Sequence, residues 1–559
     1  VREDTSDDSD TRRKRVRVGT QPRMLRFSRN VLAATNAFTI NITDPAQVAE
    51  LPDFVRDGMA AEAKARGEQG WTVTLQAPSY VPFMEYSTNR ELKEKLWRAS
   101  NSLCLGGEFD NTENIKRMVN LRLKIANLLG YPTYADYVLA DRMAENAQTV
   151  NAFLDELLAQ TKEYAVKDYN TIGEYARSQG FEGEVMPWDM AYYSEKYRHE
   201  KYELNEELVK PYLQLDSVKR GVFLLANKLY GLNFTPNPEV PVYHPEVTAY
   251  DVTDKDGRFL AELYLDFFPR ATKRGGAWET EFRSVSIVEG HETRPLVSLV
   301  MNFTKPTDTT PSLLTFSEFE TFLHEFGHAL HAILSEGEHE SISGTHVYQD
   351  FVELPSQIME NWATEPEVLR HYAINYTTGE VIPERLIKRI RESGKFNQGF
   401  IVTELVAAAL TDMDIHAITE YEPFDVNEFE ADAVYGRRGL IPQIQPRYRY
   451  PYFLHIFDGG YASGYYFYIW AQVLDKDAFR AFEQTGDVFD RATARKFRTL
   501  LSRGGSADGM TLYRDFRGAD PDKRAMLVAC GLMEELPEEP ADSLAVPVVT
   551  LEPNEKPKI

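Results

Sequence analysis

The chain has 559 residues, 43% hydrophobic, 26% charged and 12% aromatic, with 86 acidic against 62 basic side chains and a net charge of −24. Such a length calls for several lobes or two domains rather than one small core, and the acidic balance argues against nucleic acid or an anionic membrane as partner. Two cysteines, Cys104 and Cys530, are too few for a disulfide framework or a thiolate cluster, so any metal must rest on His, Asp or Glu.

In chain order, residues 1–24 open with "VREDTSDDSDTRRKRVRV", acidic and then basic, without Met at position 1. They are expected to be a disordered charged tail, and the basic block 12–17 receives no function. No secretory signal is visible, and no apolar run reaches the roughly 18–20 residues of a membrane span. Helices are expected in "NRELKEKLWRASNSLCL", "TENIKRMVNLRLKIANLL" and "AQTVNAFLDELLAQTKEYAVKDY", where apolar residues recur at three- and four-residue spacing among charges. The pattern changes near residues 247–303. "VTAYDVT", the turn "DKDG" and "RFLAELYLDFF" predict a hairpin about Asp256-Gly257, and "LVSLVMNF" (296–303) a further strand. An extended peptide could lie along such a sheet, although the residues do not tell which edge is free. The last stretch, 537–559, is rich in Pro and Glu and is expected to be an extended tail.

Behind the small sheet comes "TFLHEFGHALHAIL" (321–334), which contains His324-Glu325-Phe326-Gly327-His328. Residues four apart share a helix face, so both imidazoles can reach one ion. Glu325 projects beside them, where a carboxylate can take a proton from metal-bound water. The pattern H-E-x-x-H arises by chance in roughly one chain of this length in a hundred, so its apolar helical setting matters. His331 shares the face but lies roughly 10 Å along the axis from His324. Zinc ligands sit about 2 Å from the ion and surround it, so His331 is expected to pack or to support a ligand.

The third ligand should come from a later segment folding back. Glu336, Glu338, His339, His346, Asp350, Glu353 and Glu360 are the candidates. The first three sit in the polar loop "SEGEHES". Glu353 sits in the apolar run "DFVELPSQIMENWA", where an unpaired carboxylate is costly, and Pro355 suits the first turn of a helix. Burial pattern favours Glu353 over His346; spacing alone leaves both open.

Taken together, "TFLHEFGHALH", "SGTHVYQDFVELPSQIMENW" and "HIFDGGYASGYYFYIW" resemble the thimet oligopeptidase family of zinc peptidases, family M3. "KPYLQLDSVKRGVFLLANKLYGLNF", "RGGAW", "FNQGFIVTELVAAALTDMDIH" and "SRGGSADGMTLYRDFRG" extend the likeness from about Phe27 to Leu532. The form "GYASGYY", with Gly464, is more similar to the peptidyl-dipeptidase branch than to the endo-acting oligopeptidases. The resemblance implies a mainly α, two-lobed zincin of gluzincin type, with a deep central cleft and a small β-sheet next to the active-site helix. It implies one zinc ion per chain on His324, His328 and Glu353, with Glu325 as general base. It also implies that His455, Tyr461 and Tyr468 contact substrate and transition state. Gly459, Gly460 and Gly464 are read as giving that segment freedom to close, and Tyr465 and Tyr466 as packing.

Asp350 and Glu360 are candidate partners of the ligands, and Arg447 and Arg449 candidate grips for a substrate carboxylate. Family members carry further helices ahead of "LRFSRNVLAATNAF", so the catalytic region, 25–536, is expected to be N-terminally short. The expected activity is release of C-terminal dipeptides from short unfolded peptides, as in a metallocarboxypeptidase. An endo-acting oligopeptidase and an inactive peptide-binding remnant are the alternatives. A cytoplasmic monomer is expected, with peptides as partners and neither nucleic acid nor membrane; an export signal ahead of residue 1 is left open.

Overall fold

The structure, a computed structural model, describes residues 9–421 and 424–534. The three periodic segments fold as helices α2 (Arg90–Asn101), α3 (Thr112–Leu128) and α4 (Ala147–Ser178), and two further helices, α1 (Ser9–Ala37) and α5 (Leu215–Tyr230), flank them in the chain. Helix α1 begins at Ser9, inside the stretch expected as a tail over 1–24. Phe27 and Val31 of α1 bury in the same core as Ile115 and Val119 of α3. A helix so fixed at one end extends backward with one hydrogen bond per added residue, a tertiary effect that composition conceals. Residues 1–8 and the tail expected over 537–559 lie outside the described residues.

The hairpin forms as read. Its strands β2 (Thr248–Thr253) and β3 (Phe259–Asp266) follow β1 (Asn233–Pro236) and pair antiparallel across a turn in which Gly257 has φ 86°. Next come β4 (Trp278–Arg283) and β5 (Leu296–Val300), and the order across the sheet is β1-β2-β3-β5-β4. The strand recognised in "LVSLVMNF" is therefore interior, parallel to β3 and antiparallel to β4. The open edge beside it is β4, whose "WETEFR" alternation is too charged to have stood out.

One face of this sheet packs on α5 and on α6 (Phe316–Leu334). Leu263, Leu265, Val297 and Leu299 share a core with Val222, Phe319, Phe322 and Phe326. After α6 come α7 (Leu354–Glu360), α8 (Gln398–His416) and α9 (Phe467–Glu483). A second core joins α1, α3, α4 and α8. Helix α9 enters both, with Phe467, Ile469 and Val473 in the second core and Leu474, Ala478, Phe479 and Phe482 in the first. The molecule is thus mainly helical with a small sheet, and two lobes meet at α9. Among the described residues no helix is long and apolar enough to cross a membrane.

Candidate metal centre

Helix α6 begins with a capping box. Thr315 Oγ1 accepts the Glu318 amide at 3.0 Å, and Glu318 Oε2 accepts the Thr315 amide at 2.8 Å. Its apolar residues face the sheet: the Phe322 ring stands edge-on to Phe267 with centroids 5.2 Å apart. That orientation turns His324 and His328 the other way, their rings 5.2 Å apart. Helix α7 crosses against this face with main chain touching main chain. A Cβ on Gly327 would lie 2.1 Å from the Pro355 carbonyl oxygen and 2.5 Å from Ser356 Cα. Only glycine permits this approach, which brings Glu353, the N-cap of α7, opposite the two histidines.

His324 Nε2 and His328 Nε2 each lie 3.2 Å from Glu353 Oε2. Donors bound at about 2.0 Å around a tetrahedral zinc stand about 3.3 Å apart, so these residues fit that ion. All three offer ligand atoms within 4.8 Å of one another, and among the described residues no other His, Cys, Asp or Glu group does so. The two nitrogens and one carboxylate suit a borderline-soft ion better than calcium or magnesium. Glu353 is held by Ser356 Oγ, which donates to Oε2 at 2.9 Å, and by the Tyr461 hydroxyl, which donates to Oε1 at 2.7 Å.

Glu360, one of two carboxylates considered as ligand support, stands 2.6 Å from His324 Nδ1. It orients that imidazole with Nε2 toward Glu353. The other, Asp350, instead accepts the Met143 and Ala144 amides and the Tyr466 hydroxyl. Tyr466, read as packing, therefore carries a polar task. Glu325 is buried with no partner for Oε2 among the described residues, and burial pushes its carboxyl up from the usual range. His331 is fully buried, and burial pushes it down to about 3, which fits a packing residue. His346 turns its Nδ1 toward the Ser343 carbonyl, at 3.0 Å, and takes no part.

Across from α6 lies the segment 455–468. The rings of Tyr461 and Tyr468 stack 5.7 Å apart, and His455 stands edge-on to both, at 6.2 and 5.9 Å. His455 is pushed down to about 4, by burial first, and Arg447 acts in the same direction against Glu353. It is neutral near pH 7. The glycines there are not simply hinges: a Cβ on Gly464 would lie 2.6 Å from the Phe467 ring and 3.0 Å from the Tyr461 carbonyl oxygen. Gly464 is thus required by close packing, which corrects the reading of it as freedom to close. Arg449 is spent on Glu430, at 2.6 Å. Arg447 is exposed, with no direct ion pair among the described residues, and lies near Tyr448, Glu404 and Tyr465.

Sequence reasoning missed Asp412, which is fully buried. It accepts the amides of Ser463, Gly464 and Tyr465 at 2.8–2.9 Å. In "ALTDMDIH" the one local signal is His416, which shares a helix face with Asp412, four residues before it, and not with Asp414.

The chain matches peptidase family M3 over residues 83–532. Over 514 residues it is 37% identical to the dipeptidyl carboxypeptidase of Escherichia coli (strain K12), covering 90% of this chain and 75% of that protein. Oligopeptidase A of the same organism is 36% identical over 517 residues, with 90% and 75% covered. A solved structure described as an oligoendopeptidase F superposes with a TM-score of 0.50 at 16% identity, over 87% of this chain and 74% of that one, a likeness of fold.

Proposed function

The chain belongs to peptidase family M3, and on that premise we propose that it is a zinc-dependent peptidase that releases dipeptides from the C-terminus of short unfolded peptides. One zinc ion would be held by His324, His328 and Glu353. The observation that carries the reading is the convergence of these three on one point, with the unpartnered Glu325 carboxylate beside them. When bound, zinc supplies Lewis acidity and an activated water.

Glu325 is the base. Buried, with its proton affinity raised, it is suited to accept the proton of the attacking water and return it to the departing amine. Tyr461 and Tyr468 are kept protonated by burial. Their hydroxyls can donate to the carbonyl oxygen as it becomes negative, without bringing a charge of their own. Tyr461 now donates to Glu353 and would exchange that acceptor for the substrate oxygen. His455, neutral and with no partner for Nδ1 among the described residues, supplies a further uncharged group beside them.

The exopeptidase reading is supported by Arg447. Its guanidinium makes no direct ion pair among the described residues, although the Glu404 carboxylate is near enough to act on it, and its charge is felt at His455. It can pair bidentately with a terminal carboxylate. Arg449, tied to Glu430, is withdrawn from that role. An endo-acting oligopeptidase is the second reading, favoured by the near-equal identity to oligopeptidase A.

Mass spectrometry of an N-acetylated peptide with its C-terminus free or amidated, with and without chelator, tests the proposal. Stepwise loss of dipeptides from the free acid alone, stopped by chelation, is expected. Internal cuts indifferent to amidation would replace it with the second reading.

A further inference from the structure

The turn that presents Tyr461 is held by a group outside the metal chemistry. Ser463 sits in the left-handed region, at φ 54°, a conformation that a non-glycine residue adopts only where its surroundings impose it. The imposing group is Asp412 of α8. Its Oδ1 accepts the Ser463 amide at 2.9 Å, and its Oδ2 accepts the Gly464 and Tyr465 amides at 2.8 and 2.9 Å. Three successive amides thus converge on one carboxylate that solvent does not reach.

The carboxylate is itself fixed. His416 Nδ1 lies 2.8 Å from Asp412 Oδ1, and His416 Nε2 lies 2.8 Å from Arg122 Nη1, all three side chains being buried. With Arg122 donating to Nε2, the imidazole is neutral and gives its Nδ1 proton to Asp412. The arginine charge therefore sits one ring away from the carboxylate it balances. Arg122 is lodged over the rings of Tyr134 and Phe457, and Phe457 lies two residues beyond His455.

Among the described residues none of these groups hydrogen-bonds to His324, His328, Glu353 or Glu325. They connect α3 and α8 to the turn between His455 and Tyr468. We propose that Asp412, backed by His416 and Arg122, is the positioning residue for the donor tyrosines, an inference that rests on the peptidase reading above. It sets where the Tyr461 and Tyr468 hydroxyls stand relative to the His324–His328–Glu353 site. A displacement of about 1 Å at such a site can cost 10²-fold in rate.

The test is Asp412→Asn in the full chain, reading kcat and KM per bound zinc on a short peptide, alone and combined with Tyr461→Phe/Tyr468→Phe. Expected is a fall in kcat of about 10- to 100-fold with KM little changed and zinc stoichiometry intact. In the double-Phe background the same substitution should cost almost nothing more, because its effect runs through those hydroxyls. Adding Ser463→Gly, which removes the strain that Asp412 holds, should restore part of the lost kcat. Unchanged kcat per zinc, or an equal loss in the double-Phe background, would overturn the assignment. If Asp412→Asn does not fold, His416→Gln keeps the carboxylate and its three amide bonds and carries the same cycle at smaller amplitude. A parent chain that binds zinc yet cleaves no peptide would instead sink the peptidase reading.

Discussion

The two walls of the site are built by different means. On the wall carrying His324, His328 and Glu353, two main chains touch at Gly327 and Pro355, and the ligands follow from that contact. On the wall carrying Tyr461 and Tyr468, a turn is hung from one buried carboxylate by amide hydrogen bonds. Packing of this kind resists small displacement, whereas the turn keeps its place only while that carboxylate accepts its amides. The ligand side is therefore fixed by sterics, and the donor side by hydrogen bonds. On the proposed reading, that division leaves the metal site in place while the Tyr461 hydroxyl changes acceptor.

The largest expected effect tests the chemistry that both walls serve. Glu325→Gln should lower kcat by about 10²–10⁴-fold while zinc content, measured by metal analysis, stays at one per chain; loss of zinc together with activity would make Glu325 structural. Next comes the steric wall. Gly327→Ala forces α6 and α7 apart and should cost about 1–3 kcal/mol of stability, together with most of the bound zinc, read by thermal melting and metal analysis. Retention of both would show that the close approach is dispensable. On the polar wall, Tyr461→Phe should lower kcat by about 10²-fold without altering zinc affinity by more than the lost bond to Glu353 allows. The smallest change is to ligand support: Glu360→Gln should weaken zinc about 10–100-fold, measured by competition with a chelator, with kcat preserved at saturating zinc. Were kcat to fall instead, Glu360 would belong to the proton chemistry.

The same division explains what could be read from the residues. His324, Glu325 and His328 declare themselves because a helix places four-apart residues together, whatever the rest of the fold does. Glu353 was legible through the cost of burying a carboxylate in "DFVELPSQIMENWA", and its selection over His346 needed the likeness to a family. Glu360 and Asp350 were equivalent on spacing, and only the crossing of α7 over α6 separates them. Asp412 left only the four-residue spacing to His416, because its other partners are main-chain amides some fifty residues away, which any sequence possesses. Gly464 misled for a related reason. A glycine is read as freedom when its neighbours in space are unknown, and here those neighbours are the Phe467 ring and a carbonyl. The helix from Ser9 was hidden similarly, since its anchoring at Phe27 and Val31 is tertiary.

Helix α9 has a consequence for how the molecule comes apart. Its first half is part of one core and its second half of the other, and a helix of this length owes most of its stability to such packing. Neither lobe can melt while leaving α9 whole for its neighbour. Calorimetry should accordingly record one heat-absorption peak for the described body instead of two, with the calorimetric and van't Hoff enthalpies in agreement. The proteolytic consequence is parallel: a nick that frees one lobe should doom both, so limited digestion should leave either the folded body or small fragments, and no surviving half.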